Sequence, residues 1–191
     1  MDHPLLSDDQ KDLRRRVIQF FHNSYKVSRE SNFIFVCGGN EATQLRPLFR
    51  TYCQVTSCVY EIFQPEFAME NIFATGLHEP FDITDFEQLV GSLSHAIVIF
   101  PEAAGSFAET GYFSAIPELA RKTILVLDSE RQKDDSFISL GPAKKINEKS
   151  IYNPVIQMDY SSPKFELVIT RIDSRAPLST YKKLLSWKEL N

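Results

Sequence analysis

The sequence has little of what disulfide frameworks, metal centres and membrane spans require. It has only three cysteines, with no CxxC pair, and its four histidines are scattered along the chain. This usage is typical of reduced, buried thiols and predicts a cytoplasmic protein without a metal site. No apolar run approaches the roughly 20 residues of a membrane span. The polar, acidic N-terminus differs from a secretory signal, so we expect no membrane association.

Two common phosphate-binding patterns are also missing, since the chain contains neither GxGxxG nor a loop ending in GK[ST]. The net charge of -4 argues against a protein that coats nucleic acid, although Arg14–Arg16 and Lys144-Lys145 are candidates for local basic patches. The chain does have length and apolar content: its 191 residues are 43% hydrophobic and include 15 Phe. That is enough for one sizeable domain.

Short apolar runs alternate with segments whose apolar residues recur at helical spacing. The runs predict strands at Asn32–Cys37, Cys58–Phe63, Ala96–Phe100, Lys122–Leu127 and Asn153–Tyr160. The helical faces are predicted at Leu45, Leu48, Phe49 and Tyr52, at Phe86, Leu89, Val90 and Leu93, and at Phe165, Val168, Ile169 and Ile172. This alternation predicts an α/β fold, a Rossmann-like, doubly wound and mainly parallel sheet of about five strands with flanking helices.

Three parts are expected along the chain: an N-terminal helical extension (1–30), the α/β domain (31–175) and an amphipathic tail (176–191). Within the α/β domain, residues 128–151 are polar and long for a strand-to-helix connection. We predict a lid or interface loop there, ordered at Ser136–Pro142. Pro163 is predicted to start the last helix of the domain at its first position.

The stretch Ala96–Gly111 is the centre of the predicted site. It reads as a buried strand, a turn at Pro101–Gly105 and a helix that begins at Ser106. Backbone N–H groups at such a helix start, with the positive end of the helix dipole, suit a phosphate or carboxylate. Parallel α/β sheets bind ligands at this edge. A second turn, Gly38-Gly39-Asn40, follows the first strand and allows close backbone approach.

Carboxylates near these turns have two interpretations each. Ser106 and Glu109 match the S-x-x-E capping box, so Glu109 is either structural or catalytic. Glu102 is either a solvated loop carboxylate or part of the site. Glu87 is either exposed on its helix or directed towards the strand ends. His95 is better interpreted as a histidine whose hydrogen bonds are satisfied, or as an exposed one, than as a catalytic base.

Four motifs occur in the same order as in one known family. They are FVCGGN at 35–40, IFQPE at 62–66, VIFPEAAGSFAETGYFS at 98–114 and SFISLGP at 136–142. On these residues the chain resembles the nucleoside-deoxyribosyltransferase-like effector proteins of bacterial retron anti-phage systems, over about residues 30–185. The resemblance implies a Rossmann-like domain followed by a helical, winged-helix-like domain. This chain ends where that second part would begin, so a short or truncated version is expected.

The resemblance also implies a function. The family's retron members are associated with toxic N-glycosidic cleavage of a nucleotide, including NAD, in abortive infection. That activity is restrained by a reverse transcriptase and its msDNA. We therefore expect those two partners, a nucleotide substrate rather than a cofactor, and a homo-oligomer or higher assembly. Two further functions stay open: a nucleotide sensor or assembly module without turnover, and a true nucleoside deoxyribosyltransferase. A phosphoribohydrolase is disfavoured because no PGG turn is present.

Residue roles follow from the same resemblance. Glu109 matches the glutamate of the family's ELG motif, which reads ETG here with Thr110 in place of leucine. Ala103 stands where transferases often have aspartate, with Glu102 one residue earlier, which disfavours base exchange. Glu109 is expected beneath the reacting ribose carbon, with Glu102 or Glu87 orienting ribose hydroxyls or assisting proton transfer. The residues expected to bind the substrate are Cys37, Gly38, Gly39, Asn40, Pro101, Gly105, Ser106 and Phe107.

Overall fold

Five parallel strands form one sheet in the computed structural model, which describes residues 33–63 and 83–175. The strands are β1 (Phe33–Cys37), β2 (Glu61–Phe63), β3 (Ala96–Ile99), β4 (Thr123–Asp128) and β5 (Val155–Met158). The helices are α1 (Leu45–Val55), α2 (Ile83–Leu93), α3 (Ala104–Ala115), α4 (Pro117–Ala120), α5 (Lys144–Lys149) and α6 (Phe165–Arg175), with a π-helical segment at Ser139–Ala143. The predicted Rossmann-like α/β class is confirmed.

The strand order is β2-β1-β3-β4-β5, with every pair parallel. The chain therefore leaves β1 towards one edge of the sheet and later continues from β3 towards the other. The carboxyl ends of β1 and β3 meet at this reversal, where Cys37 pairs with Ile99. In open α/β sheets, the reversal leaves a crevice in which ligands bind.

Both faces of the sheet are covered, which is why its strands are continuous apolar runs. Ile34 and Val36 of β1 pack in the core beneath α1 and α6. Phe35 and Cys37, which alternate with them, pack in the second core beneath α2, α3 and α4. The alternation of β1 therefore places the Cys37 thiol on the α3 side of the sheet.

The prediction of a lid or interface loop is wrong for Ser139–Lys149. These residues form the π-helical turn and α5, which belong to the connection from β4 to β5. Pro142 lies inside the π-helical turn. A proline after a glycine normally signals a break. Here the wider π turn accommodates the proline, so the helix continues past it.

Two smaller predictions are also corrected. The second strand begins at Glu61 rather than Cys58, because the Cys58 N–H donates to the Cys53 carbonyl (2.9 Å) and still belongs to the end of α1. On α2, Leu89 and Leu93 are about half exposed, whereas Val90 and Gly91 face the sheet. A methyl group on Gly91 would lie 3.0 Å from Ile97, so this glycine sets the close approach of α2.

Other boundaries shift by a few residues. Helix α6 begins at Phe165, two residues after Pro163. The predictions for the N-terminal extension (1–30) and the tail (176–191) lie outside the described residues. Among the helices of the described ranges, none has the length and apolar character that crossing a bilayer requires.

His95 is a buried core histidine rather than an exposed one. It is 7% exposed, and its ring stacks on Tyr60 with centroids 5.4 Å apart. Burial, aided by the positive charges of Arg175 and Lys122, lowers its pKa from about 6.5 to about 4. The ring is therefore neutral in the folded protein at neutral pH.

This lowered pKa predicts a loss of stability in acid. Between about pH 6.5 and about pH 4 the unfolded chain binds a proton that the folded His95 does not, so stability falls as the pH falls through that window. We expect the free energy of unfolding of the wild type, relative to His95→Phe, to drop by about 3 kcal/mol between about pH 7 and about pH 4. Urea denaturation of both proteins at several pH values measures this difference in the free energy of unfolding. A difference that does not change with pH would contradict this role for His95.

Candidate active site

The turns after β1 and β3 lie side by side at the carboxyl edge of the sheet. The Phe100 N–H donates to the Cys37 carbonyl (2.9 Å), which extends the β1–β3 pairing to the last residue before the second turn. Gly38-Gly39-Asn40 and Pro101-Glu102-Ala103 are therefore neighbours. The structure brings together the two turns that the sequence analysis predicted for the site.

The Glu102 carboxylate fastens these two turns to each other. It accepts hydrogen bonds from the backbone N–H groups of Gly39 (3.2 Å), Leu45 (2.9 and 3.0 Å to its two oxygens) and Arg46 (3.4 Å). Gln44, at the N-cap of α1, makes no side-chain cap bond. Glu102 thus supplies from another strand the acceptor that α1 needs at its positive end. These contacts give Glu102 a positioning role, and its predicted part in catalysis remains a prediction.

Arg46 is a site residue that sequence reasoning missed. It is 4% exposed, and its Nε donates to the Gly39 carbonyl (3.2 Å). A side chain at Gly38 would lie 2.9 Å from the Cβ of Arg46 and 3.3 Å from a Glu102 oxygen, so glycine is required there. The available signal was a basic residue in the first turn of α1, where the helix dipole disfavours positive charge.

The predicted capping box at Ser106 is wrong. Helix α3 begins at Ala104, with Ala103 as N-cap. Ser106 reaches back instead: its hydroxyl accepts from the N–H groups of Glu102 (3.2 Å) and Ala103 (3.0 Å) and donates to the Ala103 carbonyl (2.9 Å). Since the helix starts two residues early, Glu109 lies a turn beyond the capping position. The capping-box interpretation of Glu109 is therefore wrong, and its catalytic role stays a prediction.

Gly105 lies in the first turn of α3, and the space beside it is open. A Cβ built there meets no atom within 4 Å. The N–H groups of the first helical turn have no intrahelical acceptor, because hydrogen bonding within the helix begins with Phe107, which donates to Ala103 (3.1 Å). A phosphate can approach this helix start closely.

Cys37, Glu87 and Glu109 form a cluster on the α3 side of β1. The Cys37 thiol is hydrogen-bonded to Glu109. Burial raises the pKa of Cys37 well above its usual value, the negative charges of Glu109 and Glu87 raise it further, and only Arg46 opposes them. The thiol is therefore a hydrogen-bond donor rather than a nucleophile. One carboxylate oxygen of Glu109, Oε2, is fully buried. The charge of Glu87 acts on a thiol at the carboxyl end of β1, which favours the interpretation that Glu87 is directed towards the strand ends.

Phe107 and Pro101 lie at a different place from this cluster. Phe107 and Glu109 are two residues apart on one helix, hence about 200° apart around its axis. Phe107 and Pro101 instead line a cavity of about 380 Å³ at the carboxyl ends of β3 and β4. We call it the Phe137 cavity. The residues that line it include Glu102, Phe107, Asp128, Arg131, Phe137 and Tyr160. The predicted site residues thus divide between two places on either side of α3.

The remaining predicted residues lie near the Cys37–Glu109 cluster and the Phe137 cavity. Asn40 is exposed beside Gly39, while Gly105 and Ser106 lie between the two places at the start of α3. Within residues 33–63 and 83–175, no three His, Cys, Asp or Glu side chains stand close enough to hold a metal ion.

Comparisons with known proteins agree on one family. A family profile described as "STM3845 retron effector protein" matches residues 42–189. The Escherichia coli protein "Retron Ec86 putative ribosyltransferase/DNA-binding protein" is 32% identical over 163 residues, which are 80% of this chain and 49% of that protein. "Retron Ec73 putative ribosyltransferase/DNA-binding protein", also from Escherichia coli, is 27% identical over 124 residues, which are 62% of this chain and 39% of that protein. The chain therefore spans half or less of the length of these relatives.

Proposed function

Because the chain belongs to the STM3845 retron effector family, whose profile matches residues 42–189, we propose that it breaks the N-glycosidic bond of a nucleotide with Glu109 as the catalytic carboxylate. Both relatives carry ribosyltransferase in their names, and ribosyl transfer breaks a bond at C1′ of ribose. The retron effector predicted from four sequence motifs is confirmed at the level of the family. Its likeness to nucleoside deoxyribosyltransferases stays a prediction.

The observation that carries the proposal is the hydrogen bond between Cys37 and Glu109 at the β1–β3 crevice. Breaking the C1′–N bond sends its electron pair to the departing base and leaves positive charge on the ribose. A carboxylate beneath C1′ stabilises that charge or bonds to the carbon, after which water or another acceptor completes the reaction. Donation from the Cys37 thiol holds the Glu109 carboxylate in one orientation, as such a step requires.

Glu87 is a second carboxylate whose negative charge acts on the same thiol and raises the pKa of Cys37. We assign it the orientation of ribose hydroxyls or the transfer of a proton to the leaving base. A pair of carboxylates around one sugar carbon is the usual arrangement for glycosidic cleavage. The Glu102 carboxylate accepts hydrogen bonds from three backbone N–H groups, so we assign it a positioning role rather than a catalytic one.

The finer parts of the proposal rest on the family. We propose NAD as the nucleotide, toxicity in abortive infection as the outcome, and the retron reverse transcriptase with its msDNA as the restraining partners. A homo-oligomer or higher assembly in the cytoplasm is proposed with them. Membership of a retron effector family supports an association with retron components.

Incubation of the purified chain with NAD and a panel of nucleosides tests the activity. Chromatography should detect a released base, nicotinamide in the case of NAD, and addition of the reverse transcriptase with its msDNA should suppress the release. If calorimetry shows that a nucleotide binds and no base appears over hours, the chain is a sensor and the proposed catalysis is wrong.

The open space at Gly105 gives a second test. Gly105→Phe should place a ring over the start of α3 and raise the KM for the nucleotide at least about tenfold, because the phosphate can no longer approach the backbone. Gly111→Phe is the matched control, since a Cβ at Gly111 in the same helix also meets nothing within 4 Å. Thermal denaturation should give similar stabilities for both variants. Equal KM values for the two would show that the substrate does not cross the first turn of α3.

A further inference from the structure

The Phe137 cavity has no part in the chemistry assigned to Glu109. It lies on the opposite side of α3 from the Cys37–Glu109 hydrogen bond, at the carboxyl ends of β3 and β4. Its volume of about 380 Å³ falls within the range of small-molecule sites.

The walls of the cavity are fixed by buried hydrogen bonds. Gln132, which is 7% exposed, donates to the Pro101 carbonyl (2.5 Å) and accepts from the Asp128 N–H (2.7 Å). The Tyr160 hydroxyl donates to the Val126 carbonyl (2.6 Å), and burial raises its pKa, so it stays protonated. The turn after β3 and the end of β4 are thus held together. A site built on rigid elements binds without having to be ordered first.

The mouth of the cavity, by contrast, exposes aromatic rings. Phe137 is 86% exposed and Phe107 is 45% exposed. Aromatic side chains left in water at the edge of a cavity offer stacking surfaces, and nucleic-acid bases stack on such rings irrespective of their identity. The Phe137 cavity therefore suits a flat, aromatic ligand.

The polar wall suits a ribose. The Asp128 carboxylate is nearly buried, accepts from the Glu130 N–H (2.9 Å) and pairs with Arg131 at 3.6 Å. A carboxylate has about four acceptor positions, so these two contacts leave capacity for a diol. Acidic side chains at this edge of Rossmann-like sheets bind ribose hydroxyls. Base and ribose together define a nucleoside.

The Cys37–Glu109 pair and the Phe137 cavity lie on the two sides of one helix, α3. They are separated by the first two turns of α3, a helix about 10 Å across. At its start the helix presents Gly105, which has no side chain to block the passage. The phosphates of a dinucleotide can cross there.

We propose that the Phe137 cavity binds the second nucleoside of a dinucleotide substrate whose reacting ribose lies at Glu109. The inference rests on the proposed function, and it makes a dinucleotide joined through phosphates the preferred substrate over a mononucleotide. Phe107 and Phe137 stack on the second base, and Asp128 binds its ribose.

Phe137→Ser tests the proposal, with Leu140→Ser as the control. Both side chains are largely exposed, at 86% and 63%, and Leu140 does not line the cavity. For each variant, KM and kcat are measured for NAD and for nicotinamide mononucleotide, which lacks the second nucleoside. We expect Phe137→Ser to raise the ratio of the two KM values, NAD over mononucleotide, at least about tenfold with little change in kcat. An unchanged ratio, or the same change in Leu140→Ser, would overturn the proposal.

A binding experiment separates this inference from the proposed function. AMP is titrated by calorimetry into the wild type, Glu109→Gln, Phe137→Ser and Leu140→Ser. Binding that is lost only in Phe137→Ser supports the cavity as a nucleoside site even if no base is released from any substrate. Absence of AMP binding to the wild type would overturn the inference, whether or not the chain cleaves NAD.

Discussion

Replacing Glu109 by glutamine is expected to reduce base release on the order of a thousandfold while leaving the fold intact. Glutamine has nearly the same shape and keeps an oxygen that accepts from the Cys37 thiol, so the packing beside β1 is preserved. What it loses is the negative charge. A neutral amide neither stabilises the positive ribose nor bonds to C1′, and the barrier rises accordingly. Product chromatography under saturating substrate measures the loss in kcat.

Two controls give that result its meaning. Glu118→Gln makes the same chemical change at an exposed position on α4 and should retain full activity. Urea denaturation should give Glu109→Gln a free energy of unfolding within about 0.5 kcal/mol of the wild type. Near-native turnover by a well-folded Glu109→Gln protein would remove Glu109 from catalysis.

Glu102→Ala is expected to lower the free energy of unfolding by about 3 kcal/mol, because it leaves several backbone N–H groups without their charged acceptor. Those groups belong to Gly39, Leu45 and Arg46, which join the turn after β1 to the start of α1. Urea denaturation measures the change. Glu148→Ala, an exposed glutamate near the end of α5, is the matched control and should stay within about 0.5 kcal/mol of the wild type. A loss as small as that of the control would show that the Glu102 contacts do not hold the turn.

Glu102→Gln then separates positioning from catalysis. The amide keeps one acceptor oxygen but loses the charge at the positive end of α1, so we expect about half of the stability loss of Glu102→Ala. Because the Gly38–Gly39 turn is less firmly held, KM should rise more than kcat falls. If kcat collapses while stability is retained, Glu102 acts on the substrate directly and the positioning role is wrong.

The fold could be predicted because its main signals are local. Ala96–Ile99 is a continuous apolar run since β3 is covered by helices on both faces. In a parallel sheet every strand ends at the same edge, so the turns at Gly38 and Pro101 were expected at one edge, and the pairing of β1 with β3 makes them neighbours. Glu109 could be singled out from its motif, but the capping-box alternative could not be decided without the start of α3.

Predictions failed where one local signal had two outcomes. Ser106 can cap a helix or bond back to the preceding turn, and in the structure it does the latter. Gly141-Pro142 is typical of a loop, yet a π turn accommodates both residues. In each case the winning arrangement depends on how the neighbouring elements pack.

The sequence by itself determined most of the elements, their parallel arrangement and the family, because periodicity, turn residues and motifs act over a few neighbouring residues. Only the tertiary structure decided the contacts that make the site. Glu102 reaches Leu45 across 57 positions of sequence, and Cys37 meets Glu109 from a different element. Such pairs form only after the register of β1 against β3 is set. For the same reason the burial of Arg46 and the Phe137 cavity belong to the folded sheet edge rather than to any one segment.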